Sequence, residues 1–307
     1  MKKRDFISLK DLTPAEITRL LELAGQMKFD RTHSCELLKG KTLGLLFQKP
    51  SNRTRVSFEV GIFQMGGKSI YLGPEEINLG VREATSDVAK TVSRYLDGIV
   101  ARTHSHEDIL DLAKHASIPV INGLSDLFHP CQALADILTI QEKFKKLKGL
   151  TLAYVGDGNN VCHSLLMGCS KVGIHVNMAV PSGYEPNKEI LQMAKTFAKE
   201  SSARILLTHS PQEAVVDADV LYADVWVSMG QEAESEKRIK DFSGFQFNDN
   251  LAKFAKEHYI FMHCLPAHRG LEVTAEIIDG KHSVIFDQAE NRLHTQKAVL
   301  NSLFHTW

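Results

Sequence analysis

Ser51, Asn52, Arg53, Thr54 and Arg55 place two guanidinium groups and two hydroxyls within five consecutive residues, a cluster suited to holding a phosphate. An arginine fork grips two phosphate oxygens at once. The apolar run 42–47 reads as a strand, Lys49 and Pro50 as a turn, and the helix starts near Arg53, with Val56, Phe58, Val60 and Phe63 following. Backbone N–H groups and the positive dipole end of that helix would add to the side-chain donors. The competing reading is a polar helix cap whose arginines join a surface ion-pair lattice.

Further groups with chemical potential stand at other strand ends. His129-Pro130-Cys131-Gln132 follows Ile121-Asn122-Gly123-Leu124, and the proline sets a helix start flanked by a histidine and a glutamine able to hydrogen-bond a carbonyl or amide. A lone histidine serves structure more often than chemistry. Arg102 closes the strand Gly98-Ile99-Val100-Ala101, at the carboxyl end where open α/β sheets bind ligands. Gly156-Asp157-Gly158-Asn159-Asn160 invites a dinucleotide reading, but the third glycine of that fingerprint falls on Val161. A tight strand-to-helix turn explains it equally well, with Asn160 offering an amide to a ligand over the sheet edge. Cys264 emerges after the apolar strand Tyr259-Ile260-Phe261-Met262, beside His263. An inert thiol, a Cys–His nucleophile and a thiol that orients substrate all fit, although adjacent strand residues point to opposite faces and disfavour the nucleophilic pair. His104, His106 and His115 lack a companion carboxylate or cysteine at ligand spacing, so they read as solvated surface residues and no metal is expected.

The elements that must position these groups alternate. A capping box with proline at the first helical position, Thr13-Pro14-Ala15-Glu16, opens a helix with Ile17, Leu20, Leu21, Leu23 and Ala24 on one face. Strands are predicted at 42–47, 69–72, 98–102, 118–121, 151–156, 175–180, 204–208, 219–223 and 259–263. Helices are predicted at 53–65, 84–95, 106–115, 131–144, 160–172 and 188–200, and an amphipathic one from about 289 to 304. Such alternation implies an α/β fold with mainly parallel sheets flanked by helices. The basic, glycine-terminated stretch 143–149 precedes a new buried strand and marks the break between a domain 1–146 and a domain 147–288, the last helix (289–307) packing back on the first. The irregular, charged segment from Val227 to Asn250 has the length of a lid.

Composition narrows the function. A chain of 307 residues has room for two domains of ordinary size. A net charge of −1 gives no overall attraction to nucleic acid or anionic membrane, so anion binding must be local. There is no run of roughly eighteen apolar residues and no apolar core of a secretory signal near Met1, which leads us to expect a cytoplasmic protein. Five widely spread cysteines point to reduced thiols.

Taken together, the segments resemble the aspartate/ornithine carbamoyltransferase family over essentially the whole chain. Ser51-Asn52-Arg53-Thr54-Arg55 is similar to its Ser-Thr-Arg-Thr-Arg loop and His129-Pro130-Cys131-Gln132 to its His-Pro-x-Gln. Asp224-Val225-Trp226-Val227-Ser228-Met229-Gly230 and His263-Cys264-Leu265-Pro266 resemble the two motifs of the ornithine branch. The resemblance implies two domains with the active site in the cleft between them, no cofactor, and carbamoyl transfer from carbamoyl phosphate to the δ-amine of ornithine, giving citrulline for arginine synthesis. It implies that carbamoyl phosphate is held by Ser51, Asn52, Arg53 and Thr54, with Arg102, His129, Pro130, Cys131, Gln132, Cys264, Leu265 and Arg292, and with Asn78 reaching in from a neighbouring subunit of a homotrimer or a multiple of trimers. Asn160, Asp224, Ser228 and Met229 would hold ornithine, and Cys264, Asp224, Arg102 and His129 would carry catalysis. Asn52 departs from the family's threonine and Asn78 from its usual glutamine. Carbamoyl transfer to putrescine or an acylated ornithine, a non-catalytic phosphate- or amino-acid-binding protein, and a nucleotide-dependent oxidoreductase are the rival readings.

Overall fold

The computed structural model describes residues 3–30, 35–77, 79–80, 83–227 and 232–305. Asn78, Ser228 and Met229 lie outside the described residues. The chain divides into two compact units, Met1–Leu138 with Glu290–Trp307, and Thr139–Ala289. Both boundaries fall inside helices, Pro130–Phe144 and Ile285–His305.

The first unit holds β1 (Thr42–Phe47), β2 (Lys68–Leu72), β3 (Gly98–Arg102) and β4 (Val120–Leu124) in the order β2-β1-β3-β4, all parallel. The second holds β5 (Thr151–Val155), β6 (His175–Ala179), β7 (Ile205–Thr208), β8 (Val220–Ala223) and β9 (Ile260–His263) in the order β7-β6-β5-β8-β9, again parallel. Central strands such as β1 and β3 are apolar apart from Thr42 at the start of one and Arg102 at the end of the other, because helices cover both faces. Each sheet reverses its strand order once, between β1 and β3 and between β5 and β8. In open parallel sheets the crevice beyond the carboxyl ends at such a reversal is the ligand position.

Local signals place the helices. Thr13 and Glu16 make the reciprocal capping box before Pro14, with Thr13 N donating to Glu16 Oε2 at 2.7 Å. Of the apolar residues after Arg53, Phe58 is buried, whereas Val56, Val60 and Phe63 are exposed on the helix Asn52–Gln64. Two expectations need correction. His106 is not solvated: its Nδ1 pairs with Ser125 Oγ at 2.8 Å, and its ring packs edge-on to Phe128. The stretch read as an irregular lid carries a 3₁₀ turn, Glu232–Glu234, and a helix, Ser235–Asp241. Among the described residues no helix is long and apolar enough to cross a membrane.

Candidate active site

In the first unit, Phe47 pairs with Arg102 in register, so the turn after β1 and the end of β3 leave the sheet side by side. Ser51 caps the helix Asn52–Gln64 by accepting from Thr54 N at 3.3 Å. That cap turns Thr54 inward, where its hydroxyl accepts from Arg292 Nη2 at 3.0 Å. Arg292 Nη1 donates to Gln132 Oε1 at 2.7 Å, so the C-terminal helix, the first loop and the His-Pro segment meet at one buried guanidinium.

Arg102 is 5% exposed, and its Nε has no hydrogen-bond partner among the described residues. Burial, then the neighbouring charges of Arg292 and Arg53, pull its pKa down to about 10, which leaves it a cation at neutral pH. His129 is buried too, and burial followed by the charges of Arg292, Arg102 and Arg53 holds its imidazole well below its usual pKa. It is therefore neutral at pH 7. Three mutually repelling cations with a buried, unspent donor form a site for an anion.

Two residues of the sequence-derived set face elsewhere. The Cys131 thiol donates to Asn122 O at 3.4 Å in the core, and burial pushes it up to about 12, so it is neither ionised nor turned to a ligand. Arg55 leaves the phosphate-type cluster altogether: its Nε pairs with Glu59 at 3.0 Å and its guanidinium lies 3.7 Å over the Tyr71 ring. Of the two arginines in the opening motif, only Arg53 lies within electrostatic reach of Arg102 and His129.

In the second unit the strand reversal between β5 and β8 carries the polar groups. Asn159, not Asn160, caps the helix Asn160–Val172, accepting from Val161 N at 2.9 Å, while its Nδ2 donates to Asp224 Oδ2 at 2.7 Å. Asp224 Oδ1 accepts from the Cys264 thiol at 2.9 Å and from Val225 N at 2.8 Å. The ends of β5, β8 and β9 thus converge on one 3%-exposed carboxylate. His263 is engaged elsewhere: its Nδ1 accepts from Leu265 N at 2.9 Å and its Nε2 faces Glu272 at 3.3 Å. This bond helps hold Leu265 at φ 59, in the left-handed region.

The glycine turn does not suit a dinucleotide. A Cβ on Gly158 would lie 2.3 Å from Pro186 N, and Gly158 N donates to Tyr184 O at 2.9 Å, so the chain itself fills the approach. The neighbouring Asp157 pairs with Arg238, which is 3% exposed and also donates Nε to Trp226 O at 2.6 Å. Sequence reasoning passed over Asn159 and Arg238. For Asn159 a signal existed, since an asparagine just before an apolar helical run is a preferred cap.

A two-unit parallel α/β chain with an anion site in one unit and a carboxylate–thiol site in the other matches two family profiles. The carbamoyl-P binding domain of aspartate/ornithine carbamoyltransferase covers residues 4–142, and the Asp/Orn binding domain covers residues 148–303. The chain belongs to the aspartate/ornithine carbamoyltransferase family. It is 55% identical to an ornithine carbamoyltransferase of Oceanobacillus iheyensis over 99% of this chain and 95% of the relative. Identity to that of Pyrococcus horikoshii is 54%, over 98% and 95%. The ornithine carbamoyltransferase structure from Pyrococcus furiosus superposes with a TM-score of 0.94 at 53% identity, covering 98% of this chain and 96% of that one.

Proposed function

We propose that the chain transfers the carbamoyl group of carbamoyl phosphate to the δ-amine of L-ornithine, releasing phosphate and citrulline. The observation that carries the reading is the cluster of buried Arg102 and Arg292 with half-buried Arg53 around neutral His129, with Arg102 Nε unspent. The ornithine half rests on the Asn159–Asp224–Cys264 constellation and on the names of the relatives. Ser51, Asn52, Arg53, Thr54 and Arg292 hold the phosphate, and Pro130 with the backbone of Cys131 sets the helix start beside it. Arg102, His129 and Thr54 polarise the carbonyl oxygen, and Gln132 orients the carbamoyl end. Asn160, Asp224, Ser228 and Met229 bind ornithine, and Leu265 lines the reacting centre.

The amine lone pair forms the new C–N bond, the carbonyl oxygen takes up charge in a tetrahedral intermediate, and the C–O bond to phosphate then breaks. Ornithine's δ-ammonium has a solution pKa of about 10.4, so it must lose a proton before attack. Asp224 and Cys264 position the amine, and the Asp224 carboxylate accepts that proton, with the leaving phosphate as the competing acceptor. The Cys264 thiol is held as a donor to the Asp224 carboxylate at 2.9 Å, and the mechanism forms no enzyme-bound intermediate. Cys264→Ser keeps a donor to Asp224 and should lower kcat by about tenfold to a hundredfold, the lower end of an acid–base contribution. Labelled carbamoyl phosphate should leave no thioester on the protein. A trapped adduct, or complete loss of turnover in the serine variant, would reinstate the nucleophilic cysteine.

The same reading includes a cytoplasmic homotrimer to which Asn78 contributes in trans. Exposed Val56, Val60 and Phe63, with Ile70 on the edge strand β2, are apolar surface that such an assembly would cover. A colorimetric citrulline assay tests the activity, with ornithine, putrescine, an acylated ornithine and aspartate as rival acceptors. Ornithine is expected to give product; phosphate-site binding without turnover on any amine would leave a binding protein.

A further inference from the structure

We infer that Asp136 is a positioning residue for the anion site, acting through Gln132 on Arg292. The inference rests on the carbamoyl phosphate reading of that site. Asp136 lies one helical turn beyond Gln132 on Pro130–Phe144, and it is 0% exposed. Its Oδ1 accepts from Gln132 Nε2 at 2.9 Å. A primary amide has one accepting and one donating end, and a carboxylate only accepts. Asp136 therefore claims the NH₂ end of Gln132 and turns Oε1 towards Arg292 Nη1, 2.7 Å away. With the amide reversed, two donors would face each other and Arg292 would be displaced.

The chain of contacts continues to the motif Ser51–Arg55. Arg292 Nη2 donates to Thr54 Oγ1 at 3.0 Å. Gln296, with its amide turned to satisfy both ends, accepts from Arg292 Nη2 at 3.0 Å and Nε at 3.2 Å. Asp136 supplies a carboxylate that bonds the Gln132 amide, and through that amide it sets the direction of one guanidinium N–H of Arg292.

The test uses Asp136→Ala, Asp136→Asn, Gln132→Ala and the double variant Asp136→Ala/Gln132→Ala in the full chain. Asp136→Ala is expected to raise the KM for carbamoyl phosphate and the dissociation constant of inorganic phosphate about tenfold, with the KM for ornithine unchanged. Asp136→Asn keeps the shape but presents either amide end, and it should give a smaller rise, about threefold. In the Gln132→Ala background, Asp136→Ala should add nothing to either constant. A loss of Tm with both constants unchanged in Asp136→Asn would make the residue merely structural, and additive effects in the double variant would sink the route through Gln132. Should Asp136→Ala fail to fold, the asparagine variant and phosphate calorimetry decide alone. Absence of citrulline formation by the parent chain would count against the proposed function, whereas phosphate calorimetry tests Asp136 without turnover.

Discussion

Arg102→Leu is expected to lower kcat/KM for carbamoyl phosphate by about a thousandfold, the upper range for removing one donor to a developing oxyanion. The ligand-free protein should at the same time lose no stability. Both effects follow from one arrangement. Arg102 is buried, its Nε lacks a partner among the described residues, and burial, then repulsion from Arg292 and Arg53, depresses its pKa. Without an anion, its charge is a cost to the fold; with carbamoyl phosphate or the tetrahedral oxyanion present, it is the group whose interaction strengthens as the reaction proceeds. Leucine fills part of the same volume and removes one of the three repelling cations. Thermal melts should show a Tm in buffer equal to or above that of the parent, and little of the rise that inorganic phosphate gives the parent by binding the folded state. A lowered Tm with an unchanged carbamoyl phosphate requirement would instead make Arg102 a structural residue.

The elements of both sheets were legible because buried parallel strands leave an unmistakable mark. Runs such as Leu43–Phe47 and Leu152–Val155 are apolar on both faces, and the helices between them have 3.6-residue periodicity or clear caps. The site was legible where chemistry is concentrated in adjacent residues, as at Ser51–Thr54 and His129–Gln132. It was illegible where a side chain's role depends on direction. Arg53 and Arg55 read alike, yet the helix turns Arg55 onto Tyr71 and Glu59. Asn159 and Asn160 read alike, yet it is Asn159, the cap residue, whose amide donates to Asp224. The exposure of Val56, Val60 and Phe63 beside buried Phe58 was not legible, because an apolar run does not distinguish the interior of a chain from a surface left apolar. Asp136 escaped notice since nothing local marks a buried carboxylate whose partner is one helical turn away. Arg238 was hidden by its setting in Glu-Ala-Glu-Ser-Glu-Lys-Arg, which has the composition of a solvated run.

Arg238 is the more consequential of those omissions, and Arg238→Met should destabilise the fold by about 3–5 kcal/mol, the range for removing one partner of a buried ion pair. The guanidinium pairs with Asp157 after β5, donates to Trp226 O after β8, and lies 4.8 Å over the Tyr184 ring and 5.4 Å over Phe242. It ties the two strand ends between which Asp224 and Asn159 meet. Methionine replaces much of the packing volume but leaves the Asp157 carboxylate in a buried setting that already raises its pKa against the opposing pull of Arg238. Without that pull the folded-state pKa rises further above the unfolded one, so the folded variant binds more protons at intermediate pH. Its stability therefore improves as pH falls through the folded pKa, and the deficit relative to the parent should be larger at pH 8 than at pH 5. Asp157→Asn added to Arg238→Met removes the stranded charge and should recover much of the loss as well as the pH dependence. Urea unfolding of the parent and the single and double variants at both pH values reads these differences. A deficit that is the same at pH 5 and pH 8, and not relieved by Asp157→Asn, would mean that Arg238 contributes through its stacking on Tyr184 and Phe242 and not through its charge.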